Sequence, residues 1–373
     1  MVHWVFLLFL ACLFGFIIYR LLNKNEIKVD CNPDSVMVQY LNKMKTLKKG
    51  YSPTPWLFNP HFQTVWGMKF RKKPHGPNPR REPISFEDGG NAILDWFETD
   101  SMDSTTPIIV ISHTLAGGTR EPVVTNFAIT CVKHGWRAVV GNHRGCSGAK
   151  VTSRRLFNAI EVDDLHNVVL HVRKKFQPSS LFIVGFSLGA CQGVQYSAQL
   201  ADPSNVDAIC CISHPYHINH SMAHLRDWPQ RILYTPVIIS KFHRIAEKAR
   251  PFYPSELVDA AQKAKFINDF DDIFTSEMLH LKGKSEEYYS KACCYQFLPH
   301  SKVPTLLMSA DDDPFAFKSD IPYQEVNGCK NLALIHTAEG GHVSFVSGMN
   351  GTHSLIDDVI PDFIQAFLDS KKN

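Results

Sequence analysis

Six apolar runs of strand length constrain this chain more than any other feature. They are Ile108–Ile111, Ala138–Gly141, Leu181–Val184, Ala208–Ile212, Thr305–Met308 and Leu332–Ile335. Each is continuous rather than alternating, the pattern of a strand buried on both faces. Between them lie stretches of helical length, among them Val123–His134, Ala159–Lys175 and Ala190–Leu200. Strand–helix alternation predicts βαβ units: an α/β fold with a mostly parallel central sheet and flanking helices. A composition of 44% hydrophobic and 20% charged residues is that of a folded protein and excludes disordered and fibrous classes.

One interval breaks the alternation. Residues 214–303 are rich in helix formers, His and aromatics and contain no clear strand. The interval is too long for one crossover and too ordered in composition for a loose loop. It reads as a helical lid insertion, with a plain structural insertion as the simpler alternative.

The chemistry centres on Gly185-Phe186-Ser187-Leu188-Gly189. A bare G-x-S-x-G arises by chance, as a tight turn with an incidental Ser. Here it follows a buried strand and opens a helix. A strand that turns sharply into a helix needs small residues for close packing, and it leaves the serine exposed near a helix N-terminus. A serine hydroxyl is a weak nucleophile at neutral pH, so it needs a base, and the base needs an orienting carboxylate. In an elbow of this kind the chain order is Ser, acid, His. Asp311-Asp312-Asp313-Pro314 follows the strand Thr305–Ser309, and Gly340-Gly341-His342 follows the strand Leu332–Thr337. The candidates are therefore Ser187, Asp313 and His342. Asp312 is the alternative acid and His336, within the last strand, the alternative base. The oxyanion donors expected are the backbone N–H of Leu188 and that of Leu115, in the loop after the third strand.

The N-terminus points to a lipid surface. Val2 to Leu22 is apolar apart from His3 and Arg20, about the length of one bilayer span. A cleaved signal peptide would have a basic start and small residues at its end, whereas this stretch begins Met-Val-His and ends Tyr19-Arg20-Leu21-Leu22. From Arg20 to Arg81 there are thirteen Lys or Arg against three Asp or Glu, a juxtamembrane bias rather than a nucleic-acid patch. The expected organisation is an anchor over 1–22, a basic linker and cap segment over 23–81, and a catalytic domain over 82–373. Arg20, Lys24 and Lys28 favour a cytosolic body by the positive-inside rule. The sequons at Asn219 and Asn350 would suit a lumenal one.

Other chemistry-bearing residues carry less. None of the ten cysteines shows C-x-x-C spacing; Cys210 and Cys211 read as packed core thiols, and no disulfide is assigned. His214, His217, His220 and His224 have helical spacing, but Pro215 interrupts them and no Glu or Cys completes a zinc set. They read as a polar lid face.

These motifs together resemble the membrane-anchored AB hydrolase family four, a branch of the α/β-hydrolases. The resemblance rests on Tyr51-Ser-Pro-Thr-Pro-Trp56, Asn59-Pro-His-Phe-Gln-Thr64, Asn142-His-Arg-Gly-Cys-Ser-Gly148, the elbow, Asp312-Asp313 and Gly340-Gly341-His342. It covers about residues 50–370. It implies an α/β-hydrolase fold, Asp313 and His342 as acid and base, and hydrolysis of carboxylic esters such as acylglycerols, phospholipids and small acyl esters. It also implies a single N-terminal anchor with a lumenal or extracellular body. Thr114 and Ala190 stand where the family usually has Gly. The expected protein is thus a serine esterase or lipase needing no metal or organic cofactor, acting on a lipid or ester beside a membrane. A phospholipase or acyltransferase of the same fold is the nearest alternative, and an inactive membrane-tethered binding protein the non-enzymatic one. Oligomeric state is not legible.

Overall fold

The computed structural model describes residues 2–22 and 24–372. The expected segment bounds at Met1 and Asn23 lie outside these. Nine strands form one sheet: β1 (Lys28–Cys31), β2 (Arg80–Ser85), β3 (Asn91–Phe97), β4 (Ile108–Ser112), β5 (Arg137–Asn142), β6 (Leu181–Phe186), β7 (Ala208–Ile212), β8 (Thr305–Ala310) and β9 (Leu332–Thr337). Their order is β1-β9-β8-β7-β6-β4-β5-β3-β2. Pairing from β5 through β4, β6, β7 and β8 to β9 is parallel. Antiparallel strands close both edges, β1 on β9 and β3 then β2 beyond β5. The six apolar runs are six of these strands.

The inner strands are continuous in sequence because each side of the sheet has its own core. On β4, Ile108 and Val110 face one apolar cluster while Ile109 and Ile111 face the other. Cys211 and Cys210 divide the same way, so these adjacent thiols point to opposite faces. Each such side chain, fully withdrawn from water, contributes roughly 1.5–3 kcal/mol. All ten cysteines are free thiols.

Between β7 and β8 the chain is helical, as the sequence predicts, with Thr235–Ala249 the longest helix. This insertion has a core of its own, including Phe242, Phe270 and Phe274 packed with Phe315 of the body. The segment read as linker does more than connect. Lys28–Cys31 is the edge strand β1, and Pro60–Val65 is a helix capped by Asn59, whose side chain accepts the His61 and Phe62 N–H groups. Because β1 comes first, the loop that carries Leu115 follows the fourth strand of the chain rather than the third.

The N-terminal stretch is a helix, Val2–Leu22. Among the described residues, however, no helix is long and apolar enough to cross a membrane. Its last turn is docked on the body instead of lying free. Arg20 makes a two-pronged ion pair with Glu339 at 2.7 and 2.6 Å, and Phe16 packs edge-on against Phe58.

Candidate active site

Ser187 occupies the junction of β6 and the helix Leu188–Gln199, at φ 55° and ψ −113°. A non-glycine residue rarely holds that conformation, and here the surroundings enforce it. A Cβ on Gly185 would lie 2.3 Å from the Gly189 carbonyl oxygen, and one on Gly189 would lie 2.3 Å from that of Ser112. Only glycines allow the helix to approach the strands this closely. The Ser187 N–H then donates to Ile212 O at 2.9 Å and the Gly189 N–H to His113 O at 3.1 Å, tying the elbow to both neighbouring strand ends.

His342 comes from the loop after β9, and its Nε2 lies 2.8 Å from Ser187 Oγ. Its Nδ1 lies 3.0 Å from both oxygens of Asp313, in the loop after β8. Asp313 and His342 are both buried. Asp313 Oδ1 also accepts the Phe315 N–H at 2.8 Å and the Ala316 N–H at 3.0 Å, which fixes the carboxylate plane. The three candidates thus meet in one hydrogen-bonded line. An imidazole held this way can take a proton from the hydroxyl and keep it beside a carboxylate.

The alternatives lie elsewhere. Asp312 turns away from His342 and accepts the Gly341 N–H at 2.9 Å. Burial, followed by the charges of Asp313 and Glu339, pushes its carboxyl up to about 7. His336 Nδ1 donates to Asp311 at 2.7 Å, and its Nε2 lies 3.2 Å from Asp30, across the β1 edge. His217 and His220 stack on one another, ring centroids 5.0 Å apart, but the four insertion histidines have different surroundings. His214 is fully buried and pushed down to about 3 by that burial, His217 stacks on Tyr295, His220 pairs with Asp320 and His224 with Asp227.

Among the described residues, the N–H groups of Leu188 and Leu115 make no hydrogen bond. Leu188 is the first residue of its helix, where an amide has no intrahelical partner. Leu115 lies in a loop shaped by two neutral histidines. His113 Nε2 accepts the His143 N–H at 3.1 Å, so its proton sits on Nδ1 and is donated to Thr114 O at 2.8 Å. Burial holds both imidazoles below their ordinary range. The hydroxyl of Thr114, which stands where the resemblance leads one to expect glycine, donates to the Glu121 carboxylate at 2.8 Å.

Two positioning groups were not singled out from the sequence. Thr64 Oγ1 accepts the His342 N–H at 2.8 Å, and Ser213 Oγ accepts the next N–H, that of Val343, at 3.0 Å. Thr64 closes the Asn59–Thr64 motif, whose spacing was visible but whose purpose was not. Asn142 of the second motif accepts the Thr119 N–H at 2.9 Å, and Arg144 forks onto Asp164 and reaches Asp88.

Ser187 opens onto two cavities. The larger, ≈ 790 Å³, also reaches His342 and Leu115, and the insertion walls it with Met222, Tyr234, Val237 and Ile238. The smaller, ≈ 70 Å³, is lined mainly by apolar groups such as Leu188, Ile218 and Phe242. A sheet of this topology with a half-buried elbow serine open to a cavity, a buried His–Asp pair and free amides defines a hydrolase of the esterase and lipase type. The alpha/beta hydrolase fold family model matches residues 107–348, and the chain belongs to that family. It is 31% identical over 334 residues to an abhydrolase domain-containing protein of Dictyostelium discoideum, covering 87% of this chain and 83% of that one. It is 27% identical over 329 residues to Phospholipase ABHD3 of Bos taurus, covering 86% and 79% respectively. The esterase Pf2001 of Pyrococcus furiosus shares the fold, with a TM-score of 0.51, 12% identity and coverage of 79% and 97%. The chain is a carboxylic ester hydrolase.

Proposed function

We propose that this enzyme hydrolyses acyl esters of lipids through an acyl-enzyme on Ser187. Ser187 Oγ attacks the ester carbonyl while His342 Nε2 takes its proton, and Asp313 orients the imidazole and stabilises its charged form. The amides of Leu188 and Leu115 hold the oxyanion. His342 returns the proton to the departing alcohol, then activates the water that releases the acid. The observation that carries this reading is the 2.8 Å contact between His342 Nε2 and Ser187 Oγ, with Nδ1 on a buried carboxylate.

Lipid substrates are supported by the apolar cavity walls and by the similarity to a phospholipase. We further propose that the helix Val2–Leu22 attaches the enzyme to a lipid surface. Trp4, Phe6, Leu10, Leu13 and Phe14 on this helix are exposed, an arrangement water disfavours. The insertion acts as a lid over the site. The test is labelling with a fluorophosphonate beside a Ser187→Ala control. Wild type labels and the variant does not; equal labelling, or none in either, overturns the proposal and favours a binding protein that kept the fold.

A further inference from the structure

The larger cavity is not uniformly apolar. Lys69, Arg81, Arg120, Lys241, Arg244 and Lys248 all line it, against a single acid, Glu121. Two of these cations are already matched. Arg81 forks onto Asp95 at 2.8 Å, and Lys241 lies 3.6 Å from Glu121. Glu121 is itself engaged by the Thr114 hydroxyl. Lys69, Arg120, Arg244 and Lys248 have no ion pair among the described residues, and the Lys248 ammonium donates only to Gly145 O at 2.8 Å.

Three of these cations are ordered along one helix, with Ile245 beside them on the cavity wall. Lys241, Arg244 and Lys248 are spaced three and four apart on the helix Thr235–Ala249 and so share one face. Val237 and Ile238, earlier on that helix, line the same cavity. Tyr234, just before it, packs on Phe315, which packs on His342, with ring centroids 4.7 and 4.6 Å apart. The apolar end therefore adjoins the reacting groups. The cationic end lies along the helix toward Gly145, about 16 Å on at 1.5 Å per residue from Val237 to Lys248. A bound ester lying along this axis would place hydrocarbon at one end and an unmet positive field at the other.

From this we infer that the substrate is an ester lipid with an anionic, phosphate-bearing headgroup, held by Arg120, Arg244 and Lys248 while its acyl ester reaches Ser187. The inference rests on the serine hydrolase reading and narrows its substrate class. Guanidinium and ammonium groups are the side chains that bind phosphate oxygens most strongly, and Arg120, Arg244 and Lys248 are exposed, with no carboxylate partner among the described residues. The chemistry balances as hydrolysis. The acyl C–O bond to the glycerol breaks, the Ser187 ester forms and is cleaved by water, and a lysophospholipid and a fatty acid leave.

The test uses dihexanoyl lipids below their aggregation threshold, so that no charged surface forms and only the headgroup differs. Phosphatidic acid and phosphatidylglycerol are compared with phosphatidylcholine and neutral diacylglycerol, in wild type and in Arg120→Gln/Arg244→Gln. Wild type is expected to favour the acidic lipids over diacylglycerol by roughly tenfold or more in kcat/KM, through KM. The double variant is expected to bring that ratio close to one. Equal use of acidic and neutral lipids by wild type overturns the inference, as does a preference that survives in the double variant. A preference that appears only with anionic vesicles overturns it too, since that would locate the charge recognition at a membrane surface. Fluorophosphonate labelling and p-nitrophenyl butyrate turnover are read alongside. Failure of both refutes the hydrolase reading itself, whereas their success with no headgroup preference refutes only the inference.

Discussion

In an Asp313→Asn variant the side chain keeps its shape and loses its charge, and the structure dictates which way the amide must face. Oδ1 accepts two backbone N–H groups, from Phe315 and Ala316. An NH2 group there would meet two donors, so the amide oxygen takes that position and the nitrogen takes the place of Oδ2, 3.0 Å from His342 Nδ1. His342 Nδ1, 3.0 Å from both positions, then faces an NH2 as well as the amide oxygen, and accepting from that NH2 moves the imidazole proton to Nε2, facing Ser187 Oγ. An Nε2–H cannot take the serine proton. The loss expected of such a tautomer change is roughly 10⁴-fold in kcat, about 5.4 kcal/mol of transition-state stabilisation. Turnover of p-nitrophenyl butyrate measures it, with thermal unfolding to verify the fold and fluorophosphonate labelling to follow Ser187 alone. A variant within tenfold of wild type in kcat, or one labelled at the wild-type rate, would refute the roles given to Asp313 and to the tautomer.

Three further outcomes follow from positions around the site. Asp312→Asn keeps an oxygen for the Gly341 N–H but removes a charge that burial disfavours. Raising this carboxyl from 3.8 to about 7 favours its neutral form in the native state by about 4 kcal/mol. That stability is complete below pH 3.8 and is lost as pH rises through 7, so the variant should lose less stability than wild type between pH 4 and 8 in denaturant titrations. Identical pH profiles would show that Asp312 stays ionised in the native enzyme. Thr64→Val leaves the buried His342 N–H without an acceptor, at a cost of about 1–3 kcal/mol, and should lower kcat where Thr64→Ser does not. Equal rates for the Val and Ser variants would remove Thr64 from the positioning of the base. Gly189→Ala drives a methyl into the Ser112 carbonyl and should destabilise the fold by about 1–3 kcal/mol, read as a fall in Tm. An unchanged Tm would mean the elbow is looser than its geometry.

The inner sheet was legible because parallel strands buried on both faces write unbroken apolar runs, as Leu181–Phe186 and Leu332–Ile335 do. β1 and β2 left no such trace. Their outward residues meet water, and Lys28 and Arg80 read as parts of a basic linker. The serine, acid and base were legible because an elbow fixes their order along the chain. The choice between Asp312 and Asp313 was only partly so, since adjacent residues in a loop can face opposite ways, and only the fold shows which one faces the imidazole. Thr64 and Ser213 could not be found from local pattern at all. Each is one ordinary hydroxyl, and its role exists only because the chain brings it to a loop 278 or 130 residues away.

The ion pair between Arg20 and Glu339 has a bearing on how this enzyme is prepared. Glu339 stands directly before Gly340, Gly341 and His342, so the first helix is tethered to the loop that carries the base. Trimming residues 2–22 to gain solubility would do two things together: shed an oily helix and release a guy-rope on the imidazole. A drop in activity after trimming could not then be credited to poorer access to lipid alone. Arg20→Ala in the full chain, assayed on a water-soluble ester, separates the two, since it slackens the rope and leaves the helix in place. A fall in kcat there would mark the N-terminus as part of the catalytic scaffold.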